Sequence, residues 1–231
     1  MQYLFPEPSV PTVPVEGTSE LYPVRRIFCV GRNYEAHAAE MGVAVDRQAP
    51  FYFTKAASSI VPTGTEIPYP PGTENYHYEM ELVVAIGKPA FRVKSADAFD
   101  YVYGYACGLD MTRRDLQLVA REKGRPWDLG KDFEQSAVIS PIRRAKDVEY
   151  KGTGHIHLSA NGSIKQDADL SQLIWSVEEI IEHLSGFYHL EPGDLIYTGT
   201  PAGVGPVVAG DVLHGGIDGI GSIDLKISNP E

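Results

Sequence analysis

A chain of 231 residues, 43% hydrophobic and 22% charged, has enough apolar sequence for one medium-sized domain with its own core. Its net charge of −11 repels polyanions, which argues against a nucleic-acid partner and requires a local cation or metal wherever an acidic metabolite binds. Two distant cysteines in apolar contexts, no basic-apolar leader and no membrane-spanning apolar run exclude a disulfide framework, a zinc ribbon and a transmembrane helix, so a reduced cytoplasmic protein with no membrane partner is expected.

Residues 1–24 carry Pro6, Pro8, Pro11, Pro14 and Pro23. That density forbids helix and central strand, and predicts an extended N-terminal arm on the surface of a domain spanning 25–231. Arg26–Val30 reads as a short strand ending at Gly31, and Tyr34–Met41 as a short helix stopped by Gly42. Phe51–Thr54 is a strand, and the proline-rich stretch 63–75 a loop. Tyr78–Ile86 and Val102–Asp110 read as strands, and Arg113–Lys123 as a helix ending at Gly124. His155–Ala160 and Ser163–Gln166 flank Asn161-Gly162, a strong hairpin signal. Leu170–His183 has helical apolar spacing, and Asp194–Thr198 and Ser222–Ile227 close the chain as strands. Strands outnumber helices and their connections are irregular, which predicts a β-rich α+β domain.

Four constellations bear chemistry. Glu79 and Glu81 stand two apart, on one face of a regular strand, beside the apolar run Leu82-Val83-Val84. Such a pair is either solvated or neutralised by a hard cation. Asp110, at the end of an apolar strand, is either a turn aspartate or a third oxygen ligand for that cation. No His or Cys cluster has zinc spacing, although His77 shares the strand face of the two glutamates. His37 and Glu40, three apart on a helix, are either a surface pair or a general base with its orienting carboxylate. The glycine-rich Thr198–Pro206 segment offers backbone N–H groups to a carboxylate but lacks the Gly-Lys-Ser/Thr of a phosphate loop.

In this order the motifs resemble the fumarylacetoacetate hydrolase family: Gly31-Arg32-Asn33-Tyr34-x-x-His37-Ala38-x-Glu40, His77-Tyr78-Glu79-Met80-Glu81-Leu82, Leu109-Asp110-Met111-Thr112-x-Arg114-Asp115, Lys131, and Thr198-Gly199-Thr200-Pro201-x-Gly203-Val204-Gly205-Pro206. The resemblance covers about residues 25–229, and the arm with Val24-Arg25-Arg26-Ile27 is nearer to the fumarylpyruvate-cleaving branch than to the short acylpyruvases. It implies a mixed β-roll catalytic domain at 25–231, usually a homodimer. It implies Mg²⁺ or Mn²⁺ on Glu79, Glu81 and Asp110, and a lid that carries the catalytic His37 and Glu40. Lys131 is implied as a catalytic residue, with substrate contacts from Arg32, Arg114, Gln117 and Thr200. The sequence departs from the family pattern at His77, where many members have Asp, and at Lys55-Ala56, where many have Lys-Pro.

The implied reaction is metal-dependent hydrolysis of a carbon–carbon bond in a small anionic 2-oxo acid such as fumarylpyruvate. His37 serves as base, Lys131 as oxyanion stabiliser and the metal as Lewis acid. The same site suits an oxaloacetate decarboxylase or tautomerase, or an isomerase or decarboxylase of hydroxymuconate-type diacids. Residues 43–76 are expected to shape the distal pocket that separates these. A non-catalytic 2-oxo acid binding protein would have no need of His37 and Glu40.

Overall fold

The computed structural model describes residues 3–6, 9–40, 42 and 47–231. The predicted helix end at Met41 and residues 43–46 of the pocket-shaping segment lie outside them. The largest sheet runs, in spatial order, Phe51–Lys55, Arg26–Gly31, Asp194–Tyr197, Met80–Ile86, Val102–Asp110, Ala137–Ile139 and Ile60–Pro62. Parallel and antiparallel pairings mix within it, as the β-rich α+β reading requires.

Met80–Ile86 is buried along its whole length because the sheet is covered on both faces. Alternation sends Leu82 and Val84 into one core and Val83 and Ala85 into the other. The first core includes Ile156, Leu158, Leu213 and Ile223, from a five-stranded sheet containing the predicted hairpin. The second core receives Val13, Val15, Tyr22 and Val24. The proline-rich segment here forms a small hairpin, Thr12–Pro14 on Leu21–Pro23. Tyr22 ties it down: its hydroxyl lies 2.8 Å from the Ile86 carbonyl and accepts from Gly193 N–H at 2.9 Å.

Three predicted elements are corrected. The strand read as Tyr78–Ile86 breaks at Glu79: Tyr76–Tyr78 joins a separate three-stranded sheet with Thr112–Arg113 and Gly205–Val207. The loop read at 63–75 contains a strand, Thr65–Pro68, which pairs in parallel with Gly221–Ser228. Partnership with a distant strand, invisible to local pattern, outweighs the prolines that follow. The helix read over Leu170–His183 is a 3₁₀ turn, Leu170–Gln172, followed by a helix at Val177–Ser185. Two local effects split it. Ser176 forms a capping box with Glu179, which starts the helix there. Asn33 takes the N–H and C=O of Trp175 and accepts from Ile174 N–H, holding that stretch extended.

Candidate active site

Three helical segments matter to the site: α1 (Glu35–Glu40), α2 (Arg114–Glu122) and α3 (Asp128–Lys131). The pairing of Met80–Ile86 with Val102–Asp110 sets Met80 opposite Leu109 and Glu81 opposite Gly108. Asp110 N–H then donates to the Glu79 carbonyl at 2.9 Å, so the break at Glu79 falls beside the end of the neighbouring strand. This register, rather than simple alternation along one strand, brings Glu79, Glu81 and Asp110 together. One oxygen from each lies within 4.8 Å of the others. All three are buried, with Asp110 wholly inaccessible.

Three buried carboxylates demand counter-charge. Lys131 supplies most of it: its ammonium donates to Glu79 Oε2, Asp110 Oδ2 and Thr112 Oγ1, each at 2.7 Å. Arg114 pairs with Glu79 Oε1 and donates to Gln117 Oε1 at 2.5 Å. Lys55 Nζ lies 2.8 Å from Asp110 Oδ1 and donates to the Met111 carbonyl at 3.2 Å. These contacts set the titration of the group. Burial alone would raise Glu79, but Lys131 and Arg114 outweigh it and hold the carboxyl well below the glutamate range. Among the described residues no lysine or arginine forms an ion pair with Glu81. Burial, then Asp110 and Glu79, push its carboxyl well above that range, opposed by a 2.8 Å hydrogen bond from Gly199 N–H. Burial disfavours the Lys131 ammonium, but Asp110 and Glu79 more than compensate and raise its pKa.

His37 Nδ1 lies 3.1 Å from Glu40 Oε2, and the Glu40 carboxylate in turn accepts from Gly203 N–H at 3.3 Å. The glycine-rich segment therefore grips the protein's own carboxylates, Glu81 through Gly199 and Glu40 through Gly203. Gly199 has φ +101°, and a Cβ there would stand 2.7 Å from the Asn33 side chain, so only glycine presents this N–H. Thr200 Oγ1 accepts from Gln166 Nε2 at 2.8 Å, and Gln166 also anchors Met80 N–H at 3.0 Å. One cleft is lined by His37, Glu79, Glu81, Asp110, Lys131, Arg114, Gln117, Thr200 and Arg32, together with Phe53, Trp127 and Arg121. Of the site residues expected from sequence, all but Glu40 line this cleft, and Glu40 reaches it through its contact with His37. His77 stands aside: its Nδ1 faces Arg114 Nε at 3.5 Å and its Nε2 faces Asn75 Oδ1 at 2.8 Å. Burial and the neighbouring Arg114 push it down to about 4, which keeps the ring neutral. The sequence reading passed over Gln166, Arg121 and the pairing of Lys55 with Asp110. Lys55 did leave a signal, as a charged residue that ends an otherwise apolar strand. Gln166, one polar residue among several in a hairpin strand, left none.

The carboxylate triad fits a hard divalent cation. Its donors are all oxygens, three buried carboxylates with one oxygen of each within 4.8 Å of the others, which is the ligand set a hard cation takes. Residues 26–228 match the family model described as fumarylacetoacetate (FAA) hydrolase C-terminal. The chain belongs to the fumarylacetoacetate hydrolase family. It is 56% identical to a fumarylpyruvate hydrolase of a Ralstonia species over 83% of this chain and all of the relative. It is 41% identical to the mitochondrial oxaloacetate tautomerase of Homo sapiens, over 90% of this chain and 93% of that one. The crystal structure of fumarylpyruvate hydrolase from Pseudomonas aeruginosa, in complex with Mn²⁺ and pyruvate, superposes with a TM-score of 0.96 at 46% identity, covering 99% of this chain and all of that one. Among the described residues no helix is long and apolar enough to cross a membrane.

Proposed function

We propose that this chain is a metal-dependent hydrolase that cleaves fumarylpyruvate to fumarate and pyruvate. One observation bears most of the weight: His37, with Glu40 on its Nδ1, lines the same cleft as the carboxylate triad. A protein that merely bound 2-oxo acids would need the triad and not the base. The Ralstonia relative and the Pseudomonas complex support the choice of substrate.

Glu79, Glu81 and Asp110 would hold Mg²⁺ or Mn²⁺, which supplies Lewis-acid stabilisation of the negative charge that the reaction develops. The protein's own groups do the rest. Glu40 accepts the Nδ1 proton of His37 and leaves Nε2 as the basic nitrogen. His37 takes a proton from water, and the hydroxide equivalent adds to the carbonyl of the fumaryl group. The carbon–carbon bond then breaks, its electron pair leaves with the pyruvate fragment, and the imidazolium returns the proton to that fragment's carbon. All three N–H groups of Lys131 are engaged with Glu79, Asp110 and Thr112, so Lys131 acts on the developing oxyanion through its charge. Arg32, Arg114, Gln117 and Thr200 position the anionic substrate. The reading makes the protein a cytoplasmic homodimer, for which the exposed Leu4 and Phe5 offer apolar surface.

The test is stoichiometric: purified protein with Mn²⁺ should release fumarate and pyruvate in equal amounts from fumarylpyruvate, and lose activity with a chelator. Full activity in chelator would refute the metal role. Rapid ketonisation or decarboxylation of oxaloacetate with no cleavage of fumarylpyruvate would move the assignment to the tautomerase side of the family, where the human relative stands.

A further inference from the structure

The cleft that contains the triad and His37 is small. Its cavity volume is about 30 Å³, where one enclosed water needs roughly 10–15 Å³. That is room for water and not for a diketo acid. A second cavity of about 290 Å³ adjoins it, lined by Phe51, Phe53, Pro126, Trp127 and Asp128 among others. Phe53, Trp127 and Lys131 line both spaces. Together the two reach the roughly 300–1,000 Å³ of ordinary small-molecule sites, which the cleft alone does not.

The wall between them is aromatic. Phe51 and Phe53 stand two apart on the strand Phe51–Lys55 and face the same way. Trp127 meets Phe51 edge-on, with ring centroids 4.9 Å apart, and Phe53 at 5.9 Å with the rings tilted by 48°. Trp127 and Phe53 are both half-buried, so neither ring is locked into the core. Trp127 is also tied to the catalytic end: its carbonyl accepts from Gly130 N–H at 2.8 Å and Lys131 N–H at 2.9 Å, across the first turn of α3. Among the described residues, the chamber takes residues 51–54 from the segment expected to shape the distal pocket, and residues 125–128 from the loop between α2 and α3 and the start of α3. Aromatic rings presented in this way suit a planar conjugated group.

We propose that this chamber holds the acyl arm of the substrate, which leaves the cleft between Phe53 and Trp127, and that Trp127 is a specificity-determining residue favouring extended planar acyl groups over short ones. The proposal deepens the hydrolase reading and rests on it for the reacting end of the substrate. With the pyruvoyl end at the triad, the carbonyl that water attacks lies beside Lys131, which borders both spaces.

The Mn²⁺ enzyme and its variants would be assayed on fumarylpyruvate, whose acyl arm is long and planar, and on acetylpyruvate, whose arm is a methyl group. The quantity read is the ratio of the two kcat/KM values. Trp127→Ala should lower that ratio roughly 10-fold, as expected when an aromatic face is withdrawn from a planar group, and Trp127→Phe should recover part of it. Asp128→Cys labelled with pyrene maleimide sets a bulky group at a position that lines the chamber and not the cleft; Cys29 and Cys107 are both buried and shielded from the reagent. Labelling should lower the ratio at least as far, measured against the unlabelled variant. A ratio that survives labelling, or equal losses on both substrates, overturns the chamber. If the parent enzyme cleaves neither compound, the hydrolase reading fails by itself. The two compounds titrated calorimetrically into the Mn²⁺ protein then decide the chamber: a preference for fumarylpyruvate that labelling abolishes supports it, and no preference, or one that labelling leaves intact, overturns it.

Discussion

Lys131 Nζ and Asp110 Oδ2 are joined by a 2.7 Å ion pair in which both side chains are almost fully shielded from solvent. Such a pair is costly to break from one side, because the remaining charge is stranded. Lys131→Met should therefore destabilise the metal-free protein by about 3–5 kcal/mol, the usual range for removing one partner of a buried pair. Saturating Mn²⁺ should restore part of that loss by neutralising Glu79 and Asp110. Calorimetric melts in chelator and in Mn²⁺ measure both effects; an undiminished metal-free Tm would contradict the assigned role of the lysine.

Glu81 should behave in the opposite way. Burial, Asp110 and Glu79 raise its carboxyl well above the ordinary range, so in the metal-free fold it retains a proton where Glu79 is ionised. A group with a raised folded pKa favours the fold below its unfolded pKa, and that contribution is lost as pH rises through the folded value. Glu81→Gln therefore should not lower the metal-free Tm at neutral pH, yet should weaken Mn²⁺ binding by more than about 100-fold, the upper effect of losing an outer-shell partner. In the parent protein, Mn²⁺ affinity should fall as pH drops below the raised Glu81 pKa, with about one proton released per ion bound. Titration calorimetry in buffers of different ionisation enthalpy reads that proton directly, and its absence would count against the assignment.

His37→Ala should reduce fumarylpyruvate turnover by roughly 10²–10⁴, the usual contribution of a general base. Glu40→Gln keeps a hydrogen-bond acceptor for His37 but removes the charge that favours the imidazolium. It should cost less than His37→Ala and act on kcat more than on KM. Single-turnover measurements of pyruvate release separate the two, and a Glu40→Gln enzyme with full kcat would remove Glu40 from the mechanism.

Gly130 is where α3 meets α2: a Cβ there would stand 2.8–3.0 Å from the backbone and Cβ of Gln117. Gly130→Ala must push the helices apart, shifting Lys131 on one and Arg114 on the other. Overpacking of this kind costs about 1–3 kcal/mol. The expected result is a modest drop in Tm with a disproportionate loss of kcat. Unimpaired turnover would show that α3 tolerates displacement.

Much of the site was legible in the chain because its relationships are short. His37 and Glu40 stand three residues apart on a helix, which local geometry alone brings together, and Glu79 and Glu81 are neighbours in sequence even though the break at Glu79 leaves their convergence to the sheet register. The ordered motifs then identified the family, favoured the ligand reading of Asp110 over the turn reading, and added Lys131, Arg32, Arg114, Gln117 and Thr200. The hairpin at Asn161-Gly162 was equally local. The break at Glu79, the strand at Thr65–Pro68 and the division of the predicted 170–183 helix were not, because each answers to a partner far away in sequence.

By itself, then, the sequence determined the chemical inventory: an oxygen-only carboxylate triad, a histidine with a carboxylate beside it, and enough strand for a β-rich fold. Only the tertiary structure decided which group neutralises which. Lys131 reaches Glu79 across 52 residues, Gly199 reaches Glu81 across 118, and Gly203 reaches Glu40 across 163. Charge placement in a buried site depends on distances through space, and chain pattern encodes those only for residues within a turn or a strand of each other. The contrast between Glu79, paired with Lys131 and Arg114, and Glu81, held by the Gly199 N–H, therefore belongs to the fold, although the two residues stand only two apart in the sequence.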